Sequence, residues 1–418
     1  MDRRLFLMSI LATAGAAAPD APPQPGSQPP ADLPGLGPPT DDPKFDAWKQ
    51  DFIRRALAAE WPAELIDREL KDLRPEPRVL VQDVGQPEFS KPFGDYIKTA
   101  VSDARIEAGR RYRDELAFLP ALETRFGVPK EILLGIWAME SNYGAIQGDF
   151  DVIQATATLA ANGRRRDWAE AQLFAALRIL ATMPITREQL KGSWAGAMGQ
   201  TQFIPETYLS TAIDADGDGK RDIWGSSQDA LASAANLLVK EGWRRGIGWH
   251  REVILPARFD YALAEGPRHP FAYWSGLGVR TADRQPFADA HAAAEAGLIL
   301  PQGWQGPAFL VLPNHFVIRR YNNSTAYALA VGLLADRFAG GGPLTVDWPP
   351  EGNLSIADRT GAQQALAKLG FNPGTADGVI GTNTRASLRQ WQKARNLPAD
   401  GHLTPELAAR LIAEAAAH

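Results

Sequence analysis

The sequence contains no cysteine. This absence excludes disulfide bonds, thiolate nucleophiles, cysteine-ligated zinc and any lipid anchor that requires an N-terminal cysteine. Positive charge is not in surplus, because 44 Lys and Arg stand against 49 Asp and Glu, a net charge of -5. The net charge therefore gives no electrostatic attraction to nucleic acid or to an anionic membrane. The six histidines show no metal-ligand spacing, and no glycine-rich phosphate loop stands out.

What is present is the composition of a globular protein. The chain has 418 residues, of which 45% are hydrophobic and 22% charged, and this length exceeds what one compact core usually supports. At its start, Arg3 and Arg4 precede an apolar run to Ala18, which is shorter than the roughly 20 residues of a membrane span and ends in small residues. We therefore expect residues 1–18 to be a cleaved export signal. Its start resembles the twin-arginine consensus, although Asp2 replaces the usual Ser or Thr.

The rest of the chain divides by composition and periodicity. Residues 19–42 are dense in Pro, Gly and Ala without a period, which predicts a disordered linker. Helix-length apolar patterns follow, so residues 43–345 are predicted to form a mainly helical domain. Short apolar runs at 252–255, 309–312 and 316–318 indicate strands. The expected fold class is therefore α+β, mainly α.

A smaller module is predicted over residues 352–416, after a run of turn-forming residues. It contains an internal repeat, since Asp377-Gly378 and Asp400-Gly401 have similar flanks and each precedes a helix that a threonine can cap. The pattern resembles the three-helix peptidoglycan-binding domain found on many cell-wall enzymes. This resemblance implies a noncatalytic wall anchor.

The most informative stretch of the larger domain surrounds Glu140. Pro129 suits a helix start and Gly144 a helix end, which places Glu140 in the last turn. The residues three, four, seven and eight positions earlier are all apolar, so the carboxylate shares their face. Desolvation there would raise its pKa, as a general acid requires. The alternative is a Glu that turns outward or pairs with an arginine, and periodicity alone does not exclude it.

Three ordered motifs carry a resemblance to a known family. Glu-Ser-Asn-Tyr-Gly at 140–144, the Gly/Ala-rich stretch 192–205 and the segment 320–328 together resemble the B-type lytic murein transglycosylases, over about residues 45–338. The resemblance implies a lysozyme-like fold and cleavage of the β-1,4 bond between N-acetylmuramic acid and N-acetylglucosamine. Glu140 would act as general acid and then as base, leaving a 1,6-anhydromuramyl end.

Motif position also assigns sugar contacts by resemblance. The residues so assigned are Ser193, Gln202, Tyr321, Asn322 and Tyr327. A local role remains open for these residues, because the serine could cap a helix, the glutamine could bond to backbone and the tyrosines could simply pack.

An acidic loop follows the second motif. Asp214, Asp216, Asp218 and Asp222 occupy positions one, three, five and nine of an EF-hand pattern, with Gly217 at six. Gly225 replaces the usual glutamate at position twelve. The resembled family takes its last carboxylate later, for which Asp229 is the candidate, and Lys220 would offer its backbone carbonyl. A structural calcium ion is expected, although a solvated acidic turn is the alternative, and no cofactor is expected for the chemistry itself.

The combined expectation is a monomeric periplasmic enzyme that acts on peptidoglycan glycan strands, with no membrane anchor and no nucleic-acid partner. Two other readings stay open. A hydrolytic muramidase would use the same acid but admit water, although no strong second carboxylate stands out as most glycosidases require. A noncatalytic peptidoglycan-binding protein could have kept the same fold.

Overall fold

The computed structural model describes residues 33–84, 91–285, 287 and 294–417. The predicted signal peptide at 1–18 lies outside the described residues, as does the first part of the predicted linker. No helix in the described part of the chain combines the length and the apolar character needed to cross a membrane.

Helices dominate the described residues. In chain order they are α1 (Pro43–Ala58), α2 (Ala63–Leu70), α3 (Pro77–Val84), α4 (Phe93–Ala100), α5 (Asp103–Glu115), α6 (Leu119–Phe126), α7 (Lys130–Ser141), α8 (Val152–Asn162), α9 (Arg166–Thr182), α10 (Pro205–Thr211), α11 (Ser227–Lys240), α12 (Phe271–Gly276), α13 (Pro313–Tyr321), α14 (Thr325–Phe338), α15 (Ile356–Lys368), α16 (Thr382–Ala394) and α17 (Pro405–Ala417). The expectation of a mainly helical α+β protein is confirmed.

The strands are short and form two antiparallel sheets. They are β1 (Phe150–Asp151), β2 (Lys191–Gly192), β3 (His250–Ile254), β4 (His269–Pro270), β5 (Arg280–Thr281), β6 (Glu295–Ile299) and β7 (Ala308–Val311). β1 pairs with β2, and the other five form a sheet in the order β4-β6-β7-β3-β5. The register sets Val253 opposite Ala308 and Leu298 opposite Leu310. These side chains belong to one buried apolar cluster.

The chain folds into two compact units that do not follow chain order. The first contains the chain up to Gln86 together with Ile136–Leu237, and the second contains Pro87–Gly135 together with Leu238–His418. In the first unit, α8 packs against α9, α1 and α3. In the second, α14 packs against α4, α5 and α13. The range 43–345, expected as one domain, therefore contributes to both units.

Local signals explain where individual helices begin. The carboxylate of Asp42 accepts hydrogen bonds from the backbone N–H groups of Lys44 and Phe45 at 3.0 and 3.1 Å, and Pro43 occupies the first helical turn. This is the pattern of an N-cap followed by proline. Trp48 and Phe52 then lie one turn apart on the buried face of α1. The predicted apolar period of this helix is confirmed.

Two expectations from composition differ from the structure. Residues 33–42, assigned to the linker, make specific contacts, because the N–H of Gly35 donates to Asp67 Oδ1 at 3.0 Å and the N–H of Thr40 donates to Asp46 Oδ2 at 2.9 Å. A Pro-rich composition does not prevent such backbone contacts. Residues 316–318, expected as a strand, lie in α13, since Pro313 stands in its first turn and the buried positions recur at helical spacing.

The C-terminal module is the expected three-helix domain. Its helices α15, α16 and α17 enclose one apolar cluster that includes Leu366, Trp391 and Leu411. The repeated Asp-Gly turns have equivalent supports. The N–H of Gly378 donates to Gln363 Oε1, and the N–H of Gly401 donates to Gln392 Oε1, both at 2.8 Å.

Candidate active site

Glu140 lies in the last turn of α7, as its sequence context predicts. Its side chain is buried, with 4% exposure, and the earlier positions of the same face, Ile132, Leu133, Ile136 and Trp137, are buried too. A carboxylate is rarely buried to this degree. This buried carboxyl group among apolar neighbours is therefore a candidate for proton transfer.

The backbone after Glu140 turns sharply. Asn142, Tyr143 and Gly144 all have positive φ, at 49°, 61° and 81°. Only glycine adopts this region without cost, so two strained residues in a row indicate strong support from their surroundings. Ser141 supplies part of that support, because its Oγ accepts from the N–H of Gly144 at 2.8 Å.

Gln200 joins this turn to the second motif. Its Oε1 accepts from Trp137 Nε1 at 2.9 Å, and its backbone carbonyl accepts from Ser141 Oγ at 2.6 Å. Its Nε2 donates to the carbonyl of Trp224 at 3.0 Å. Gln200 thus contacts the residue three positions before Glu140 and the residue directly after it. The sequence pattern assigns no role to Gln200 or Trp137, and only their tertiary contacts reveal one.

Glycine allows the close packing that holds Gln200. Gly199 has φ of 66°, and a Cβ there would lie 2.6 Å from the carbonyl oxygen of Ile223. The neighbouring N–H of Gln200 donates to that same oxygen at 2.8 Å. Glycine is therefore needed here because the two backbone segments approach too closely to leave room for a side chain.

Ser193 and Gln202 both lie in the first unit, and both contact backbone. The Oγ of Ser193, which is 3% exposed, accepts from the N–H groups of Ala195 and Ala197 at 3.3 and 3.0 Å. The Nε2 of Gln202 donates to the carbonyls of Gly199 and Gln147 at 2.9 and 3.1 Å. These contacts match the local role left open for Gln202, whereas Ser193 supports a turn and does not cap a helix. They do not use the hydroxyl proton of Ser193 or the Oε1 of Gln202.

Tyr321, Asn322 and Tyr327 lie in the second unit. Tyr321 ends α13, Asn322 follows it, and Tyr327 is buried in the first turn of α14, which Ser324 caps. Asn322 is 7% exposed, and its Oδ1 has no hydrogen-bond partner among the described residues. A buried acceptor of this kind is costly unless a ligand or water satisfies it.

The acidic loop brings its carboxylates together. Oxygen atoms of Asp214, Asp216, Asp218 and Asp229 all lie within 4.8 Å of one another. Asp229 is fully buried, and its oxygens accept from the N–H groups of Ala215 at 2.7 Å and Asp222 at 2.8 Å. Burial nevertheless raises the pKa of Asp229. Four convergent hard oxygen donors suit a divalent cation such as calcium.

Two other members of the EF-hand pattern do not join this carboxylate group. Asp222, at position nine, instead accepts from the N–H groups of Trp224 and Gly225 at 3.0 and 2.8 Å. Lys220 lies on the exposed part of the loop, and its N–H donates to Asp218 Oδ1 at 2.8 Å.

Comparison with known proteins identifies the family of the chain. Residues 44–336 match the family described as Transglycosylase SLT domain, which spans more than half of the chain. The chain belongs to the transglycosylase SLT family. Residues 356–411 of this transglycosylase-family chain also match a peptidoglycan binding domain family.

The chain is similar in sequence to a named bacterial protein and in structure to several solved proteins. The chain is 32% identical over 215 residues to membrane-bound lytic murein transglycosylase B of Escherichia coli (strain K12), which covers 51% of this chain and 58% of that protein. The match thus spans less than two thirds of the relative's length.

Among solved structures, SltB3 from Pseudomonas aeruginosa in complex with NAG-anhNAM-pentapeptide shows 47% identity, covers 88% of this chain and all of that one, and has a TM-score of 0.85. The Escherichia coli lytic transglycosylase Slt35 in complex with calcium shows 26% identity, covers 72% of this chain and 93% of that one, and has a TM-score of 0.59.

Proposed function

We propose that this protein is a lytic transglycosylase that cleaves the β-1,4 bond between N-acetylmuramic acid and N-acetylglucosamine in peptidoglycan and leaves a 1,6-anhydromuramyl end. The observation that carries the proposal is the buried Glu140 at the end of α7, where Trp137 and Ser141, before and after it in the chain, both bond to Gln200. SltB3, to which the chain is 47% identical, has been solved in complex with an anhydromuramyl pentapeptide.

In the proposed reaction Glu140 acts twice. Its protonated carboxyl group donates a proton to the glycosidic oxygen as the bond from that oxygen to the muramyl C1 breaks. The resulting carboxylate then takes the proton from the muramyl 6-hydroxyl, whose oxygen forms the new bond to C1. The carboxyl group ends protonated, as it began, and no water is consumed. A single carboxyl group is therefore sufficient, in contrast to the usual pair.

Sugar contacts are proposed for Ser193, Gln202, Tyr321, Asn322 and Tyr327. The unsatisfied Oδ1 of Asn322 supports this assignment, because a sugar hydroxyl or amide could donate to it. The Oγ proton of Ser193 and the Oε1 of Gln202 are not used in their backbone contacts.

A structural calcium ion is proposed at the acidic loop. Asp214, Asp216, Asp218 and Asp229 would provide carboxylate oxygens and Lys220 its backbone carbonyl. Bound calcium would neutralise carboxylates that repel one another and so stabilise the loop. Calcium should therefore raise the melting temperature of the wild type, and Asp229→Asn should remove that increase.

The proposed setting is the periplasm, after export and cleavage of residues 1–18. There the protein would act as a monomer on glycan strands. Comparing the N-terminus and mass of the protein recovered from the periplasm with those of the full chain tests the export step.

The deciding experiment is mass spectrometry of the products released from purified sacculi. Wild type should release anhydromuramyl ends, and Glu140→Gln should lose at least about 1,000-fold in rate, since an amide cannot donate and recover the proton. Glu131→Gln, in the first turn of the same helix, is the matched control and should retain activity.

Other product patterns would replace the proposal. Reducing muramyl ends would make the protein a hydrolytic muramidase. Wall binding without released products from the wild type would leave a noncatalytic peptidoglycan-binding protein. Lysis by Glu140→Gln at the wild-type rate would remove Glu140 from the mechanism.

A further inference from the structure

The EF-hand pattern contains an aspartate, Asp222, that does not join the convergent carboxylates found in the described part of the chain. Its Oδ1 accepts hydrogen bonds from the N–H groups of Trp224 and Gly225 at 3.0 and 2.8 Å. Its Oδ2 leaves no room for a side chain at Gly225, where a Cβ would lie only 2.5 Å away. The carboxylate therefore supports the tight turn 222–225, a role for which the metal pattern does not account.

This turn presents the carbonyl of Trp224 to the segment that follows Glu140. The carbonyl oxygen accepts from Gln200 Nε2 at 3.0 Å and from Gln147 Nε2 at 3.1 Å. Gln147 Nε2 also donates to the carbonyl of Gly144 at 3.1 Å. A carbonyl oxygen has two lone pairs, so the two amides saturate it. The position of one backbone carbonyl thus fixes two side chains that bond to the segment around Glu140.

The geometry of the peptide unit explains how Asp222 acts on this carbonyl. The C=O of Trp224 and the N–H of Gly225 belong to the same planar unit and point in opposite directions. The bond from that N–H to Asp222 Oδ1 therefore sets the direction of the carbonyl. The indole ring is held separately, since Trp224 Nε1 donates to the carbonyl of Lys191 at 2.9 Å. Without Asp222 Oδ1, the peptide plane can rotate while the ring stays in place.

The hydrogen bonds continue from Gln200 to α7. Gln200 accepts from Trp137 and Ser141, which come before and after Glu140 in the chain. A path of contiguous hydrogen bonds therefore runs from Asp222 through the carbonyl of Trp224 and the side chain of Gln200 to the end of α7. Such a path is the physical basis for energetic coupling between two positions.

Two other aspartates of the chain support backbone in a similar way. The Oδ1 of Asp42 accepts from the N–H groups two and three positions later, at 3.0 and 3.1 Å, as that of Asp222 does. Asp400 Oδ1 accepts from the N–H of His402 at 2.9 Å, and its Oδ2 accepts from the N–H of Trp304 at 3.0 Å. Asp42 holds the start of α1, and Asp400 holds a turn of the C-terminal domain. The turn of Asp222 differs because its partner, Gln200, bonds to α7.

We propose that Asp222 is a positioning residue for Glu140, acting through the carbonyl of Trp224 and the side chain of Gln200. The proposal rests on the proposed function, in which Glu140 transfers the proton. It requires an acceptor oxygen at position 222 and no negative charge. Asparagine offers the same acceptor in turns of this kind, whereas alanine offers none. The two substitutions therefore have different expected effects.

The test is steady-state kinetics of the full chain on peptide-free glycan strands. Asp222→Ala should lower kcat about tenfold and change KM by less than about twofold, since displacement of a reacting group costs turnover more than binding. Asp222→Asn should keep kcat within about twofold of the wild type, because the Oδ1 acceptor remains. The matched control is Asp42→Ala, which removes the same pair of backbone contacts at the start of α1 and should leave kcat unchanged.

Hydrogen exchange measures the same coupling without the reaction. Asp222→Ala should speed exchange of the Gln200 and Gly144 N–H groups about tenfold, because local opening of this segment becomes easier. Asp222→Asn and Asp42→Ala should leave both exchange rates as in the wild type.

Wild-type kcat in Asp222→Ala would overturn the proposal. Equal losses of kcat in Asp222→Ala and Asp222→Asn would do so too, because they would indicate a need for charge. Equal losses in Asp222→Ala and Asp42→Ala would indicate general destabilisation and would also overturn it. An active wild type with an unaffected Asp222→Ala sinks the positioning role alone, whereas a wild type that releases no products sinks the function and the positioning role together.

Discussion

Buried polar side chains occur in both units, but what lies beside them differs. In the first unit, Gln200 accepts hydrogen bonds from Trp137 Nε1 and Ser141 Oγ, which lie before and after Glu140 in the chain. In the second, Gln363 bonds to the Asp377-Gly378 turn of the C-terminal domain, and His315 is buried at 1% exposure with no partner for Nδ1 among the described residues. The hydrogen-bonding chemistry of the two amides is the same.

A buried amide therefore does not by itself indicate a functional site. Gln200 is a positioning candidate because Glu140, the proposed acid, lies between the two residues that it contacts. Gln363 binds backbone and side chains of the C-terminal domain, with no buried carboxyl candidate between them. Loss of Gln200 should therefore appear mainly in kcat, and loss of Gln363 mainly in stability.

Among the buried amides compared here, the largest expected effect comes from Gln200→Leu. Loss of its contacts should shift the end of α7 and lower kcat about 100-fold with little change in KM, since misplacement of a reacting group by about 1 Å has this order of effect. Gln172→Leu is the matched control, because Gln172 is an equally buried amide of the same unit that binds Glu206 instead. Steady-state kinetics on glycan strands measures both.

If both leucine variants lose kcat equally, the loss reflects general destabilisation, and Gln200 has no special place. Rescue of kcat by Gln200→Glu, which retains the Oε1 acceptor for Trp137, would show that the bond to Trp137 carries the effect.

A smaller effect, on stability, is expected from Gln363→Leu. The change removes donors to the carbonyls of Val379 and Thr375, at 3.0 and 3.2 Å, and the acceptor for the N–H of Gly378. Unfolding of the C-terminal helices should become easier by about 2 kcal/mol, the cost of leaving buried backbone groups unsatisfied. Hydrogen exchange of α15 and α16 would report it. If Gln363→Leu lowered kcat on peptide-free strands as much as Gln200→Leu does, the two amides would not differ in their effect on catalysis.

The smallest effect is a pH dependence of stability from His315. Burial lowers the pKa of this histidine to about 3, so the unfolded chain takes up a proton near pH 6.5 while the folded chain does not. Stability should fall as the pH drops below 6.5, by about 1 kcal/mol between pH 7 and pH 5.5. His315→Phe should flatten this slope in urea unfolding experiments.

The slope should not vanish in that variant, because burial also lowers the pKa of His250 well below its usual value. An unchanged slope in His315→Phe would show that His315 does not contribute.

Much of the local structure could be predicted from the sequence. The helical period around Trp48 and around Glu140, and the repeat of Asp-Gly turns, are encoded within a few residues. Residues 316–318 were misjudged because β-branched side chains also fit a buried helix face once a proline starts the helix. The role of Gln200 could not be foreseen, since its partners are 63 and 59 residues away in the chain.

The hydrogen bond from Trp304 to Asp400 has a consequence for biosynthesis. The two residues are separated by 96 positions, and ribosomes add about 5–20 residues per second. The residue Trp304 is therefore synthesised roughly 5–20 s before its acceptor. The segment Pro87–Gly135 belongs to the same unit and waits longer still. Completion of this unit is thus a late event, timed by the synthesis of the last helices of the chain.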